Sequence, residues 1–191
     1  MSPAGRLILA PAAVLVLLLG PACGGVQPDD RQPARDYVRA TCTGIGGWLE
    51  DILTRNQELQ RDLPPIQDPE VAREMLVDYF GDLVTVTREL RILLQSLAPP
   101  DVEDGADVHG RIVTGVEGAE RVIGAALARA EDLPTDDLQA LNAEAREIGA
   151  EVRDASGEIG GSFEDLLTSE LAVAIAAEPA CQELSAIPSP P

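Results

Sequence analysis

Cysteine, histidine and paired carboxylates are the side chains of this 191-residue chain that could form covalent bonds, hold a metal or transfer protons. There are three cysteines, Cys23, Cys42 and Cys181, and one histidine, His109. A thiol can be alkylated or oxidised to a disulfide, and an imidazole can bind zinc or act as a base. The neighbours of each residue decide which of these reactions is relevant.

Four acidic residues precede the histidine, and carboxylates suit hard cations while imidazole suits zinc. The calcium-loop pattern does not fit. Counting from Asp101, glycine is fifth rather than sixth, and Ile112 stands where the closing glutamate belongs. Acids are also typical of a helix N-terminus, where the helix dipole favours them. We therefore predict a helix start and no metal site at these acids, which are Asp101, Glu103, Asp104 and Asp107.

Motifs of enzyme active sites are absent from the sequence. It contains no G-x-S-x-G, C-x-x-C or H-E-x-x-H, and no second histidine. Carboxylate pairs such as Glu144 with Glu147, or Glu164 with Asp165, are usually solvated helix faces. The sequence predicts no catalytic residue, no cofactor and no enzymatic activity.

The N-terminal segment has the three regions of a secretory signal. Arg6 supplies a positive charge, residues 7–19 form an apolar run, and small residues follow. The run is shorter than the roughly 20 apolar residues that a spanning helix needs. We predict a signal peptide over 1–22, a flexible tether over 23–34, a helical domain over 35–184 and a disordered tail over 185–191.

Cys23 directly follows Gly20, Pro21 and Ala22, and this arrangement resembles the lipobox of bacterial lipoproteins, with Leu19 one position further from the cysteine than usual. Residues 178–184, with Cys42 and Trp48, resemble small helical lipoproteins of GC-rich Gram-positive bacteria. The resemblance implies a lipidated Cys23 that anchors the chain outside the cytoplasm, because a diacylglyceryl group supplies the two chains that stable anchoring requires. The alternative is an ordinary cleaved signal that leaves Cys23 as a thiol.

If Cys23 is alkylated, Cys42 and Cys181 remain as a pair. Outside the cytoplasm an even pair usually forms a disulfide, so we predict a Cys42–Cys181 bond. The alternative is two buried free thiols.

The formal charge of -19 restricts the partners. A surface this acidic repels phosphate backbones and anionic lipid headgroups. We therefore expect no nucleic-acid binding, and membrane contact only through the lipid on Cys23.

Apolar residues recur at helical spacing in four long segments. The first helix is predicted over about 34–63, where Gly44, Gly46 and Gly47 either let a neighbour pack closely beside Trp48 or bend the helix. The second begins at the Asp68 N-cap and ends before Pro99. Its predicted core seam is Leu76, Tyr79, Leu83, Val86, Leu90, Leu93 and Leu97.

The third helix is predicted to end near Glu131, and the fourth begins near Asp136. A helix from there to Ala177 would be about 63 Å long against about 44 Å for the second helix. We therefore predict a break after Gly161 or near Thr168, a short helix over 170–177 and an end at Pro179. The predicted core stripe of the third helix is Ile112, Val116, Ala119, Ile123, Ala126 and Ala130.

The fold predicted from these segments is all-α. It is an up-down-up-down four-helix bundle with a short C-terminal fifth helix, tied by one disulfide. In this topology the first helix starts where the fourth ends, so the tether, the 99–107 loop and the tail share the membrane-proximal end. The turns at Pro64 and Pro134 share the opposite end.

We expect a non-catalytic binding or structural module of the cell envelope, whose partner is an envelope protein or a cell-wall component. The alternative function is a carrier of a metal ion or a small apolar ligand held in the bundle.

Overall fold

The computed structural model describes residues 32–63, 66–168 and 170–185, and for residues 155–168 and 185 it describes the backbone alone. The predicted signal peptide, Cys23, most of the tether and residues 186–191 lie outside these ranges. The described residues form four long helices and two short ones, with no β-strand among them. The helices are α1 Ala34–Asp62, α2 Pro69–Ser96, α3 Gly105–Glu131, α4 Leu138–Thr168, α5 Ala172–Ala177 and α6 Pro179–Ser185.

Side-chain caps fix the starts of α2 and α4. Asp68 Oδ1 accepts the N–H of Glu70 at 3.0 Å, and Asp137 Oδ1 accepts the N–H of Gln139 at 2.8 Å. Each carboxylate satisfies an N–H that has no partner inside its helix. The predicted start of α2 is confirmed, and α4 begins at Leu138, two residues later than predicted.

Two apolar clusters fill the bundle. One cluster joins the first half of α1, the second half of α2, the first half of α3 and Leu171, at what we call the disulfide end. The other joins the first half of α2, the second half of α3 and the first half of α4, at what we call the turn end. Because opposite halves of successive helices meet, the predicted up-down-up-down bundle is confirmed. All six predicted core residues of α3 are buried.

The core seam predicted for α2 is wrong at Tyr79 and Leu93, and its last member, Leu97, is the C-cap residue and is only partly buried. Phe80 and Leu94 are buried where Tyr79 and Leu93 were predicted, Tyr79 is only partly buried, and Leu93 is 38% exposed. In both cases the prediction took the wrong member of an adjacent pair, Tyr79–Phe80 or Leu93–Leu94, because spacing alone does not distinguish two neighbouring apolar residues. A straight helix also drifts from a 3.5-residue repeat, so its buried face moves by one residue over a long seam.

Hydrogen bonds donated by backbone N–H groups join three segments that are far apart in the sequence at the disulfide end. The N–H of Gln32 donates to the Pro99 carbonyl at 3.1 Å, and the N–H of Asp101 donates to the Gln32 carbonyl at 2.8 Å. The Glu103 N–H donates to the Glu170 carboxylate at 3.1 Å. The start of α1, the α2–α3 loop and the start of the α5–α6 segment therefore share one end, as the topology predicted.

The chain after α4 differs from the prediction. α4 ends at Thr168, in agreement with the predicted break near that residue, while Ser169 lies outside the described residues. Pro179 closes α5 but also opens a sixth helix, because proline is tolerated in the first turn of a helix. α1 packs against α2, α5 and α6, and within the described ranges its backbone does not contact that of α4.

We predict that Gly105→Ala destabilises the fold, whereas Gly110→Ala in the same helix stabilises it. A Cβ at Gly105 would collide with the Pro100 carbonyl oxygen, so the backbone must shift, at about 1–3 kcal/mol. A Cβ at Gly110 meets no heavy atom within 4 Å, and alanine there should add about 0.5–1 kcal/mol through helix propensity. Urea unfolding of both variants gives the comparison, and a Gly105→Ala variant as stable as the parent would contradict it.

Candidate functional site

A groove of about 590 Å³ runs along the outer face of α1 beside α6, and we call it the α1–α6 groove. α1 lines it with one stripe at helical spacing, and α6 lines one side with Ala180, Glu183 and Leu184. The disulfide lies at one end of the groove, with the Cα atoms of Cys42 and Cys181 5.1 Å apart, so the predicted pairing is confirmed. The α1 stripe consists of Cys42, Thr43, Gly46, Gly47, Glu50, Leu53, Thr54 and Gln57.

The three glycines of α1 have different surroundings. A Cβ on Gly44 would meet Leu93 of α2, and a Cβ on Gly46 would lie 3.6 Å from Leu184 Cδ2 of α6. A Cβ on Gly47 would meet no heavy atom within 4 Å. Because α1 continues without a break through all three, they do not bend the helix, and only Gly44 is required for close packing, against Leu93. Gly47 leaves bare backbone in the groove.

The charges of the groove are all negative. Glu50 and Glu183 are exposed and form no ion pair with any described residue, and no basic residue lines the groove. The nearby arginines of α1 have partners elsewhere. Arg39 pairs with the buried Glu178 at 3.3 Å, and Arg55 pairs with Asp82 of α2.

Trp48 anchors the side of α1 that faces the core. Its indole N–H donates to Thr87 Oγ1 of α2 at 3.1 Å, and both side chains are buried. This bond fixes the rotation of α1 about its axis, which leaves Gly47 and Glu50 on the outside.

His109 lies outside the groove and contacts Tyr37. The Tyr37 hydroxyl lies 3.2 Å from His109 Nδ1, and the rings meet edge to face with centroids 5.7 Å apart. Burial raises the pKa of Tyr37 to about 12, so the phenol keeps its proton, and it donates a hydrogen bond to Nδ1 when the imidazole carries its proton on Nε2. Burial also lowers the pKa of His109, which favours the neutral imidazole. The pair links α1 to α3 at the disulfide end.

The acids before His109 begin α3, as predicted. α3 starts at Gly105, and Asp107 lies in its first turn. Within the described ranges, no group of three or more histidine, cysteine or acidic side chains is arranged to hold a metal ion.

Glu120 is a carboxylate that links helices. It accepts hydrogen bonds from Arg88 at 3.0 Å and Arg91 at 2.5 Å, which join α2 to α3. Partial burial raises the pKa of Glu120, but the bonds from Arg91 and Arg88 outweigh it, and the pKa is lowered overall. Glu147 and Glu151 similarly pair with Arg129 of α3, while Glu144 is exposed. The side chains of Glu164 and Asp165 lie outside the described residues.

The chain matches no protein-family model, no curated protein and no solved structure. Of the helices in the described ranges, none is long and apolar enough to span a bilayer.

We predict that His109 makes stability depend on pH. Its pKa is lower in the folded chain than the unfolded value near 6.5, so the unfolded chain binds more protons between these two pKa values. Stability therefore falls as the pH decreases through this window. Urea unfolding at pH 7.5 and pH 5.5 measures the loss.

The matched variant is His109→Asn, which keeps an acceptor for the Tyr37 hydroxyl but does not titrate. It should lose less stability on acidification than the parent. His109 is the only histidine, so no other imidazole contributes. Equal losses in the two proteins would show that His109 does not titrate in the way its burial implies.

Proposed function

We propose that this chain is a lipid-anchored extracytoplasmic protein whose helical bundle is a non-catalytic binding module, and that the α1–α6 groove is its binding surface. The observation that carries this proposal is a groove with an exposed glycine backbone that none of the described residues fills. Gly47 weakens α1 by roughly 1 kcal/mol relative to alanine, yet no described neighbour needs the space. Other glycines of the described helices, such as Gly110 and Gly149, have equally open surroundings, and Gly47 differs from them in lining the α1–α6 groove.

The disulfide supports the proposed location. Disulfides form and persist in oxidising compartments outside the cytoplasm and are rare in cytosolic proteins. The Cys42–Cys181 bond therefore agrees with the signal-like segment that precedes Cys23.

The position of Gln32 supports the proposed anchoring geometry. Gln32 bonds to the α2–α3 loop at the disulfide end, and it is the ninth residue after Cys23 in the sequence. Fully extended, that segment reaches at most about 30 Å. A lipid on Cys23 would therefore hold the disulfide end towards the bilayer and the turn end away from it. The groove, which runs from Cys42 to Gln57, would open sideways.

The lining of the groove supports a binding role rather than a catalytic one. It contains no histidine and no free thiol, because Cys42 is in the disulfide. The alternative function, a carrier of a metal ion or an apolar ligand, needs a cavity between the long helices. The described residues there form the two packed apolar clusters, so no observation favours a carrier.

We expect Cys23→Ser to abolish anchoring. The variant should appear in the medium or remain with its signal uncleaved, because the acyl chains on Cys23 provide the membrane affinity. Fractionation of cells with mass spectrometry of the mature N-terminus measures both outcomes. A mature N-terminus elsewhere in the parent, with unmodified Cys23, would refute lipid anchoring.

The binding role is tested with a photo-crosslinking amino acid in place of Thr54, in intact cells of the organism that makes the protein. We expect a discrete protein adduct that Gly47→Leu abolishes and that the matched variant Gly149→Leu retains. Neither glycine has a heavy atom within 4 Å of an added Cβ, so both variants should fold, and Gly149 lies on α4. Equal adduct yields from the two variants would contradict binding in the groove.

A further inference from the structure

We infer that the α1–α6 groove takes a cationic segment of a partner polypeptide, with aliphatic side chains seated on the bare backbone of α1 and lysine or arginine beside Glu50 and Glu183. This inference rests on the proposed binding role and names the chemistry of the partner.

α6 shows how a segment docks on this face of α1. Cys181 meets Cys42, and three residues later Leu184 lies against Gly46, so α6 runs alongside α1 in the same direction. α6 ends at Ser185, whereas the groove continues along α1 to Gln57. The distance from Gly47 to Gln57 is about 15 Å at the helical rise, which suits about ten helical residues or five extended ones.

The floor of the groove favours an aliphatic contact. Leu184 lies near the bare backbone of Gly46 and leaves room there for a methyl group, and Gly47 offers bare backbone with no described occupant. Leu53 is half-buried and extends the apolar floor by two turns.

The acidic residues on the rim of the groove favour a partner with positive charge. Glu50 and Glu183 have no ion-pair partner in the described ranges, and no basic residue lies between them. The net charge of -19 attracts cations over a longer range and repels a second copy of this chain. A cationic segment supplies the missing counter-charges, and complementary charge raises its association rate.

The test uses a labelled 14-residue helical peptide with leucine on one face and arginine on its flanks. Two matched peptides replace every arginine by glutamine or every leucine by serine. Fluorescence anisotropy measures binding to the chain from residue 32 onwards and to four variants. Circular dichroism first establishes that each variant is folded.

We expect Gly47→Leu to weaken binding of the leucine–arginine peptide by about tenfold or more, whereas Gly149→Leu changes it by less than about twofold. Glu50→Gln with Glu183→Gln should weaken binding more than the charge-matched pair Glu74→Gln with Glu144→Gln. Those two control glutamates are exposed on α2 and α4. Both the glutamine and the serine peptides should bind more weakly than the parent peptide.

The outcomes that overturn the inference differ from those that overturn the proposed function. If the glutamine peptide binds as well as the arginine peptide and Gly47→Leu weakens both, the groove binds a partner but its cationic character is wrong. If both glycine variants bind the peptide equally and the serine peptide binds as tightly as the leucine–arginine peptide, the acidic surface as a whole attracts the peptide. In that case the groove is not the site, and the proposed function fails with the inference. Self-association of the parent that Gly47→Leu abolishes would assign the groove to a second copy instead.

Discussion

The bond between Cys42 and Cys181 is the constraint on which the disulfide end depends, because it fixes two short helices to the first long one. α5 has six residues and α6 has seven, and helices this short are unstable in isolation. Cys42 and Cys181 are 139 residues apart in the sequence. Closing a loop of this length disfavours the unfolded chain by roughly 5 kcal/mol on the chain-entropy model. The buried Leu171 and the contact of Leu184 with Gly46 add the packing that positions α5 and α6.

The α1–α6 groove follows from this arrangement. α5 and α6 pack against α1 where α4 does not, and α6 ends before it covers the α1 stripe. Behind the stripe, the Trp48–Thr87 bond orients α1, and the Tyr37–His109 pair joins it to α3. Gln32 is bonded to the α2–α3 loop, so it lies at the same end of the bundle as the disulfide.

Signals in the local sequence and the count of cysteines predicted the helices and the disulfide. The packing contacts between distant helices could not be predicted in the same way. The Asp68-Pro69 start, the α3 stripe and the cysteine pairing are local or counting signals, and the structure confirms all three. The choice between Leu93 and Leu94 depends on the rotation of α2 against its neighbours, which spacing does not fix. Pro179 is compatible with both an end and a start of a helix, so α6 was missed. The groove was missed because bare backbone at Gly47 becomes a surface feature only after α6 stops short of it.

Native-state hydrogen exchange of the oxidised and the reduced protein tests most directly whether the disulfide builds the disulfide end and its groove. Exchange of an amide reports the free energy of the local opening that exposes it. Reduction should remove protection first from α5, α6 and the first half of α1, while α2 and α3 keep theirs at the turn end. Unchanged protection of α6 in the reduced protein would contradict this account, because α6 would then be held on α1 without the bond.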